Sequence, residues 1–291
     1  MKQFIFILGC LFATFFNSCI GGNSQESDKA IENTEIPISV FTAIGDVPYN
    51  AIQKENFIAL IAKHNTTTKS DFIIHVGDIK PGGDPCNESV YAEVSGLLKR
   101  FTTPTFIVLG DNEFNDCTDP INALDLWNTY FLKLNTNWSF KPVVNYQPNR
   151  QENFSFIKDK VLFIGLNLVG SSIHDPEEWN SRLTDNSNYV QELFTSNKDK
   201  VSAVVVFGHA NMVNLGPEKF ATFTTAFRAA AATLQKPVLY LQGDGHFWMQ
   251  DAPWPEKNIM RVQIEGGATA VEVTIDPNKP MPFSFNRSFL D

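Results

Sequence analysis

Five apolar segments of this chain each stop at a glycine followed by a residue that can hold a metal ion or move a proton. They end at Gly45-Asp46, Gly77-Asp78, Gly110-Asp111, Gly208-His209 and Gly243-Asp244-Gly245-His246. Taken singly, a Gly-Asp pair after a strand is an ordinary turn. Five such ends in one chain point to a shared pocket, because ligands in open α/β sheets bind outside the carboxyl ends of strands. Glycine there permits a sharp turn and close backbone approach. Four carboxylates gathered in one pocket would repel one another and drive their pKa values up. A divalent cation removes that repulsion. The candidate metal ligands are therefore Asp46, Asp78, Asp111, His209, Asp244 and His246.

Other residues stand close by in sequence. Asn112 can donate a hydrogen bond to a developing oxyanion but cannot act as a general acid at neutral pH. Glu113 could orient a ligand from behind, or be a simple loop charge. Tyr49 follows Pro48 in a turn and reads as packing, although its hydroxyl could reach a metal or phosphate. Lys80 reads as a solvated loop lysine. Strand alternation turns His75 away from the face of Asp78, which makes it a core residue. His64 and His174 belong to no motif. Phe247, Trp248 and Trp254 read as core packing that could also wall a pocket.

The elements that must position these residues alternate. Strands are expected at 38–44, 72–76, 105–109, 201–207 and 238–241, each running into one of the five ends. Helices are expected at 51–62, 89–101, 120–132, 188–196 and 217–234, from apolar residues near helical spacing. Segments 153–157 and 161–166 read as a hairpin around Asp159-Lys160, with further strands at 260–264 and 270–275. Strands alternating with helices imply parallel pairing and an α/β class. The hairpin and the last strands add antiparallel pairing, so the sheets are expected to be mixed.

The five ends, in this order, resemble the motif set of the calcineurin-like metallophosphoesterases. That set runs Asp-x-His, Gly-Asp, Gly-Asn-His-Glu, His and Gly-His-x-His. The stretches here are Gly45-Asp46-Val47-Pro48, Gly77-Asp78, Gly110-Asp111-Asn112-Glu113, Gly208-His209 and Gly243-Asp244-Gly245-His246, spread over about residues 37–275. The resemblance implies a two-sheet sandwich flanked by helices. It also implies two metals about 3.5–4 Å apart that clamp a phosphoryl group and activate water. By position, one metal would take Asp46, Asp78 and His246. The other would take Asp78 as a bridge with Asp111, His209 and Asp244. Asp78, Asn112 and His209 are then the residues at the chemistry.

Three departures stand out. Pro48 occupies the place of a ligand histidine, Asp111-Asn112 replaces Asn-His, and Asp244 replaces the first histidine of the last motif. The combination resembles a divergent bacterial subfamily with Gly-Asp-Asn-Glu and Gly-Asp-x-His. The site is richer in carboxylate than usual, which favours Mg²⁺, Mn²⁺ or Ca²⁺ over Zn²⁺. One or two divalent ions are expected, from among Mn, Mg, Ca, Fe and Zn.

The rest of the chain bounds the function. Its net charge is −9 and no basic run occurs, so a nucleic-acid backbone is a poor partner. Lys2, an apolar run from Phe4 to Phe16 and then Asn17-Ser18-Cys19 read as a secretory leader over 1–18. Cys19 directly after it points to a lipid anchor, the alternative being an ordinary cleaved leader with an incidental cysteine. Residues 19–36 read as a flexible tether and 37–291 as a single domain. Cys86 and Cys117 remain, and an even pair in an oxidising compartment invites a disulfide. The expectation is an exported phosphoesterase, periplasmic or at the cell surface, membrane-bound only through Cys19, acting on a phosphorylated small molecule or other phosphoester. The competing reading is a non-catalytic module of the same fold that binds a metal and an anionic ligand.

Overall fold

Every strand that leads into a candidate ligand is largely buried on both faces, and the architecture uses both. In the computed structural model the elements run β1 (Ser39–Ile44), α1 (Ala51–Thr67), β2 (Phe72–His75), α2 (Glu88–Leu98), β3 (Thr105–Ile107), α3 (Pro120–Phe131), β4 (Asn145–Gln147), β5 (Arg150–Lys158) and β6 (Val161–Gly165). They continue with α4 (Pro176–Asn197), β7 (Ala203–Phe207), α5 (Ala221–Leu234), β8 (Val238–Gln242), β9 (Met249–Asp251), β10 (Ile259–Gln263), β11 (Val271–Ile275) and β12 (Phe283–Asn286). The structure describes residues 35–290 and Met1. The expected leader beyond Met1, Cys19 and nearly all of the 19–36 tether lie outside the described residues.

Two sheets form, in the orders β12-β11-β1-β2-β3 and β4-β5-β6-β7-β8-β10-β9. Pairing is parallel through β1-β2-β3 and through β6-β7-β8-β10, and antiparallel at β1-β11, β11-β12, β4-β5, β5-β6 and β10-β9. Both sheets are thus mixed. Alternation along each strand sorts its side chains. On β7, Ala203, Val205 and Phe207 face the space between the sheets, while Val204 and Val206 face α4 and α5. On β2, Phe72 and Ile74 join the same central layer, while Ile73 packs toward α1, α2 and α3. The layers are therefore helix, sheet, sheet, helix, as the sequence led us to expect. The central layer is rich in phenylalanine, with Phe41 stacked on Phe72 at 5.0 Å and Phe163 edge-on to Phe72 at 5.0 Å.

Several expectations needed correction. The helix expected at 188–196 is the 22-residue α4, starting at Pro176. Asp175 caps it, accepting hydrogen bonds from the Glu177 and Glu178 N–H groups at 2.9 and 3.1 Å. The first half of α4 is polar, which hid it from an apolar periodicity. The helix expected from Pro217 opens as a 3₁₀ turn, Pro217–Phe220, before α5. The short edge strands β4, β9 and β12 were not foreseen. The β5–β6 hairpin turns at Asp159 and Lys160, with φ 49° and 58°, the two left-handed residues of a two-residue turn. Cys86 and Cys117 are joined in a disulfide with Cα atoms 5.8 Å apart. No helix among the described residues is long and apolar enough to cross a membrane.

Candidate metal centre

Because β1, β2 and β3 run parallel, Asp46, Asp78 and Asp111 leave the first sheet at one edge. His209, Asp244 and His246 leave the second sheet after β7 and β8. The two edges meet. Within the first, the Asp46 N–H donates to the Gly77 carbonyl at 2.9 Å and the Val47 N–H to the Asp78 carbonyl at 3.0 Å. Across the seam, the Asp244 N–H donates to Asp46 Oδ1 at 3.2 Å.

Two groups of donor atoms result, one from Asp46, Asp78 and His246, the other from Asp78, Asp111 and His209. Within each group the atoms lie within 4.8 Å of one another. Asp78 belongs to both. His246 Nε2 is 3.1 Å from Asp46 Oδ1. His209 Nε2 is 3.1 Å from Asp111 Oδ1 and 3.4 Å from Asp78 Oδ1. Asp244 stands beside these groups rather than in either. Its Oδ2 accepts from the Asn211 N–H at 3.1 Å. His246 is 51% exposed while His209 is sealed, so solvent reaches the centre from the His246 side.

The backbone is strained at the ligands themselves. Asp46, Asp78, Asp244 and His246 have φ of 52°, 62°, 72° and 57°, the left-handed region that L-residues avoid at a cost of about 1–3 kcal/mol each. At Asp78, Gly77 at φ 93° and the missing side chain of Gly110 leave room for it. A Cβ on Gly110 would overlap both the backbone nitrogen and Oδ1 of Asp78.

The residues fit a cation on three counts. First, Asp46 Oδ2 and His209 Nε2 are buried polar atoms without a hydrogen-bond partner, an expensive state unless another group satisfies them. Second, His209 Nδ1 donates to the Val76 carbonyl at 2.8 Å. In the neutral ring this leaves the Nε2 lone pair facing Asp78 and Asp111, the tautomer a metal ligand needs. Third, Asp78, Asp244 and His209 are shifted toward their protonated forms, the direction a bound cation would reverse. Burial raises the Asp78 pKa, with Asp111 and Asp46 adding to it against the opposing pull of His209. Burial likewise raises Asp244. Burial works against protonation of His209, yet Asp78 and Asp111 outweigh it and push its pKa well above the usual value. Asp111 goes the other way: burial would raise it, but the His209 ring 3.1 Å away outweighs burial and lowers it.

A sequence model of the calcineurin-like phosphoesterase family matches residues 39–244. The chain belongs to the calcineurin-like phosphoesterase family. Its fold is shared with a dimetal phosphatase from Danio rerio, at a TM-score of 0.54 and 12% identity over 82% of this chain and 95% of that one. It is shared also with GAP50, the anchor in the inner membrane complex of Plasmodium, at a TM-score of 0.53 and 12% identity over 86% of this chain and 88% of that one. No curated protein sequence matches the chain.

For a calcineurin-like phosphoesterase, the surroundings of the centre hold three surprises. Glu113 is no loop charge. It is fully buried, and its carboxylate accepts from the N–H groups of Gly110 at 2.6 Å and of Asp78 and Ile79 at 3.3 Å. Burial, then the charge of Asp78, push its pKa up to about 8. Lys80 is buried too, donating to the Pro81 and Asp84 carbonyls at 3.1 and 2.7 Å, so it shapes the loop after Asp78. Tyr49 does more than pack: its hydroxyl is 2.6 Å from Asp78 Oδ2. Asn112 Nδ2 points at Asp78 Oδ2 and is 3.0 Å from the Lys80 carbonyl and 3.2 Å from Tyr49 Oη. His75 is a core residue, bonded to the Val47 carbonyl at 3.2 Å. Trp248 and Trp254 pack on the core, while Phe247 is exposed.

Proposed function

We propose that this chain is a metal-dependent phosphoesterase, in which Asp46, Asp78 and His246 hold one divalent ion and Asp78, Asp111 and His209 a second. The single observation that carries the reading is the pair of donor groups sharing Asp78, assembled from five strand ends on two sheets. Bound there, the ions would lower the pKa of water and polarise a phosphoryl oxygen. The chain's own residues do the rest. Glu113 fixes the turns that carry Asp78 and Asp111, and His209, held by Val76, keeps its Nε2 on the ligand side. Asn112 offers an N–H toward charge developing on the phosphoryl group, but no proton to a leaving group. The reading therefore includes a preference for phosphoesters with good leaving groups. Gly110-Asp111-Asn112-Glu113 and Gly243-Asp244-Gly245-His246 are taken to mark a distinct bacterial branch of the family.

The proposal extends to location. The leader-like 1–18, Cys19 after it, and a disulfide between two loops together support an exported protein anchored by lipid at Cys19. Replacing Cys19 with Ser should release it from membranes; unchanged fractionation removes the anchor.

Metal analysis of purified protein, then a panel of phosphomonoesters and phosphodiesters with added Mn²⁺, Mg²⁺, Ca²⁺ or Zn²⁺, tests the enzyme. Asp78→Asn should reduce bound metal and lower turnover by orders of magnitude. One observation favours the binding-module reading: Asn112 Nδ2 is already engaged by Asp78, Tyr49 and the Lys80 carbonyl. Metal-loaded protein that binds phosphate yet hydrolyses no ester would establish that reading instead.

A further inference from the structure

Pro48 has no donor atom, so the position at which calcineurin-like phosphoesterases carry a ligand histidine contributes nothing here. The next residue does reach the place. Tyr49 Oη lies 2.6 Å from Asp78 Oδ2, 3.3 Å from His246 Nε2 and 3.4 Å from Asp46 Oδ1. Those are the three residues of one donor group. They come from three separate loops, and the phenol oxygen is within hydrogen-bonding distance of all of them at once.

A tyrosine that only packs would bury its ring and leave the hydroxyl to solvent or to a backbone carbonyl. A phenol that only hydrogen-bonds donates one proton and can accept besides, as it does from Asn112 Nδ2 at 3.2 Å. Asp78 and Asp46 are acceptors when ionised, so their two carboxylate oxygens compete for that single proton, a crowding that a shared cation resolves. Ligand atoms that share an ion at about 2.0–2.6 Å sit roughly 3 Å from one another. The Asp46–His246 separation of 3.1 Å and the three Tyr49 distances all fall near that spacing. The ring is also held in place: it meets the His246 ring edge-on at 5.3 Å, and the Tyr49 N–H donates to Gln53 Oε1 at 2.7 Å from the first turn of α1.

We infer that the Tyr49 phenol oxygen is the fourth protein donor to the ion held by Asp46, Asp78 and His246, filling the coordination position that Pro48 leaves without a side-chain ligand. The inference rests on the two-group metal centre proposed above. It makes that group richer still in oxygen, which suits a hard ion such as Mn²⁺ or iron.

Iron alone is the probe. Chelator-stripped protein is loaded with ferrous iron and oxidised in air. A phenol oxygen bound to ferric ion absorbs visible light by charge transfer, whereas a phenol merely hydrogen-bonded nearby does not. Wild type should show the band. Tyr49→Phe should bind iron without it, and should bind one of its Mn²⁺ ions about 10–100-fold more weakly by equilibrium dialysis. Tyr49→His should restore that Mn²⁺ affinity while giving no band. Iron bound to wild type without a band overturns the inference and leaves the metal centre standing, as does a band that survives in Tyr49→Phe. Wild type that binds neither iron nor Mn²⁺ overturns the metal centre itself, and the inference with it.

Discussion

Asn112 puts an amide where a proton donor is usual in this family, and its side chain is held by three acceptors rather than left to rotate. If it stabilises charge in the transition state, Asn112→Ala should cost about 10²–10³ in turnover with metal content unchanged. Asn112→His should raise turnover of esters with poor leaving groups more than of those with good ones, since only His supplies a proton. Equal effects on both classes would remove the role assigned to Asn112. At this scale the six candidate ligands were legible because each announces itself locally, as a donor directly after a strand-ending glycine. Tyr49, Glu113 and Lys80 were not. A loop charge looks solvated in sequence, and the burial of Glu113 depends on N–H groups from two loops more than thirty residues apart. The reach of the Tyr49 phenol depends on how the Pro48 turn folds, which no spacing encodes.

Among the elements, the turn after β3 has no room for a side chain at Gly110. Alanine at Gly110 would place a methyl group on Asp78, so Gly110→Ala should displace that residue, weaken metal binding and destabilise the fold by about 1–3 kcal/mol. Gly96, inside α2, has open space around it. Gly96→Ala should therefore stabilise the protein by about 0.4–1 kcal/mol and leave metal content unchanged. Chemical denaturation of both variants checks the pair; equal effects would sink the packing argument. Elements with unbroken apolar runs, β2, β7 and β8 above all, were readable because both of their faces are buried. Elements that bury little were not: β4, β9 and β12 are short edge strands, and α4 opens on polar residues whose only cue was the Asp175-Pro176 cap.

Over the whole molecule, two features give stability a measurable handle. The Cys86–Cys117 bridge closes a span of 31 residues between the loops that follow Asp78 and Asp111. Restricting that loop in the unfolded chain is worth about 3–4 kcal/mol, so reduction should lower the melting temperature by several degrees. Two reactive thiols from this pair in unfolded, unreduced protein would refute the bridge. His64 is fully buried, bonded to Thr42 Oγ1 at 3.0 Å, and burial pushes its pKa down to about 4 from an ordinary 6.5. The unfolded chain thus takes up a proton before the folded one. Stability from this residue is complete above pH 6.5 and is lost as pH falls toward 4, by about 2–3 kcal/mol at pH 4.5. His64→Gln should flatten that part of the stability profile; an unchanged slope would reject the assignment. The seam between the sheets has one more consequence, a matter of timing. Asp244 and Asp46 meet although they are 198 residues apart in sequence. A chain still being synthesised cannot own this site, because one of its walls has not been made. An ion held by the Asp46, Asp78 and His246 group would be taken up only after residue 246 is in place, so the metals around the nearly finished polypeptide would weigh on the choice along with the preferences of its ligands.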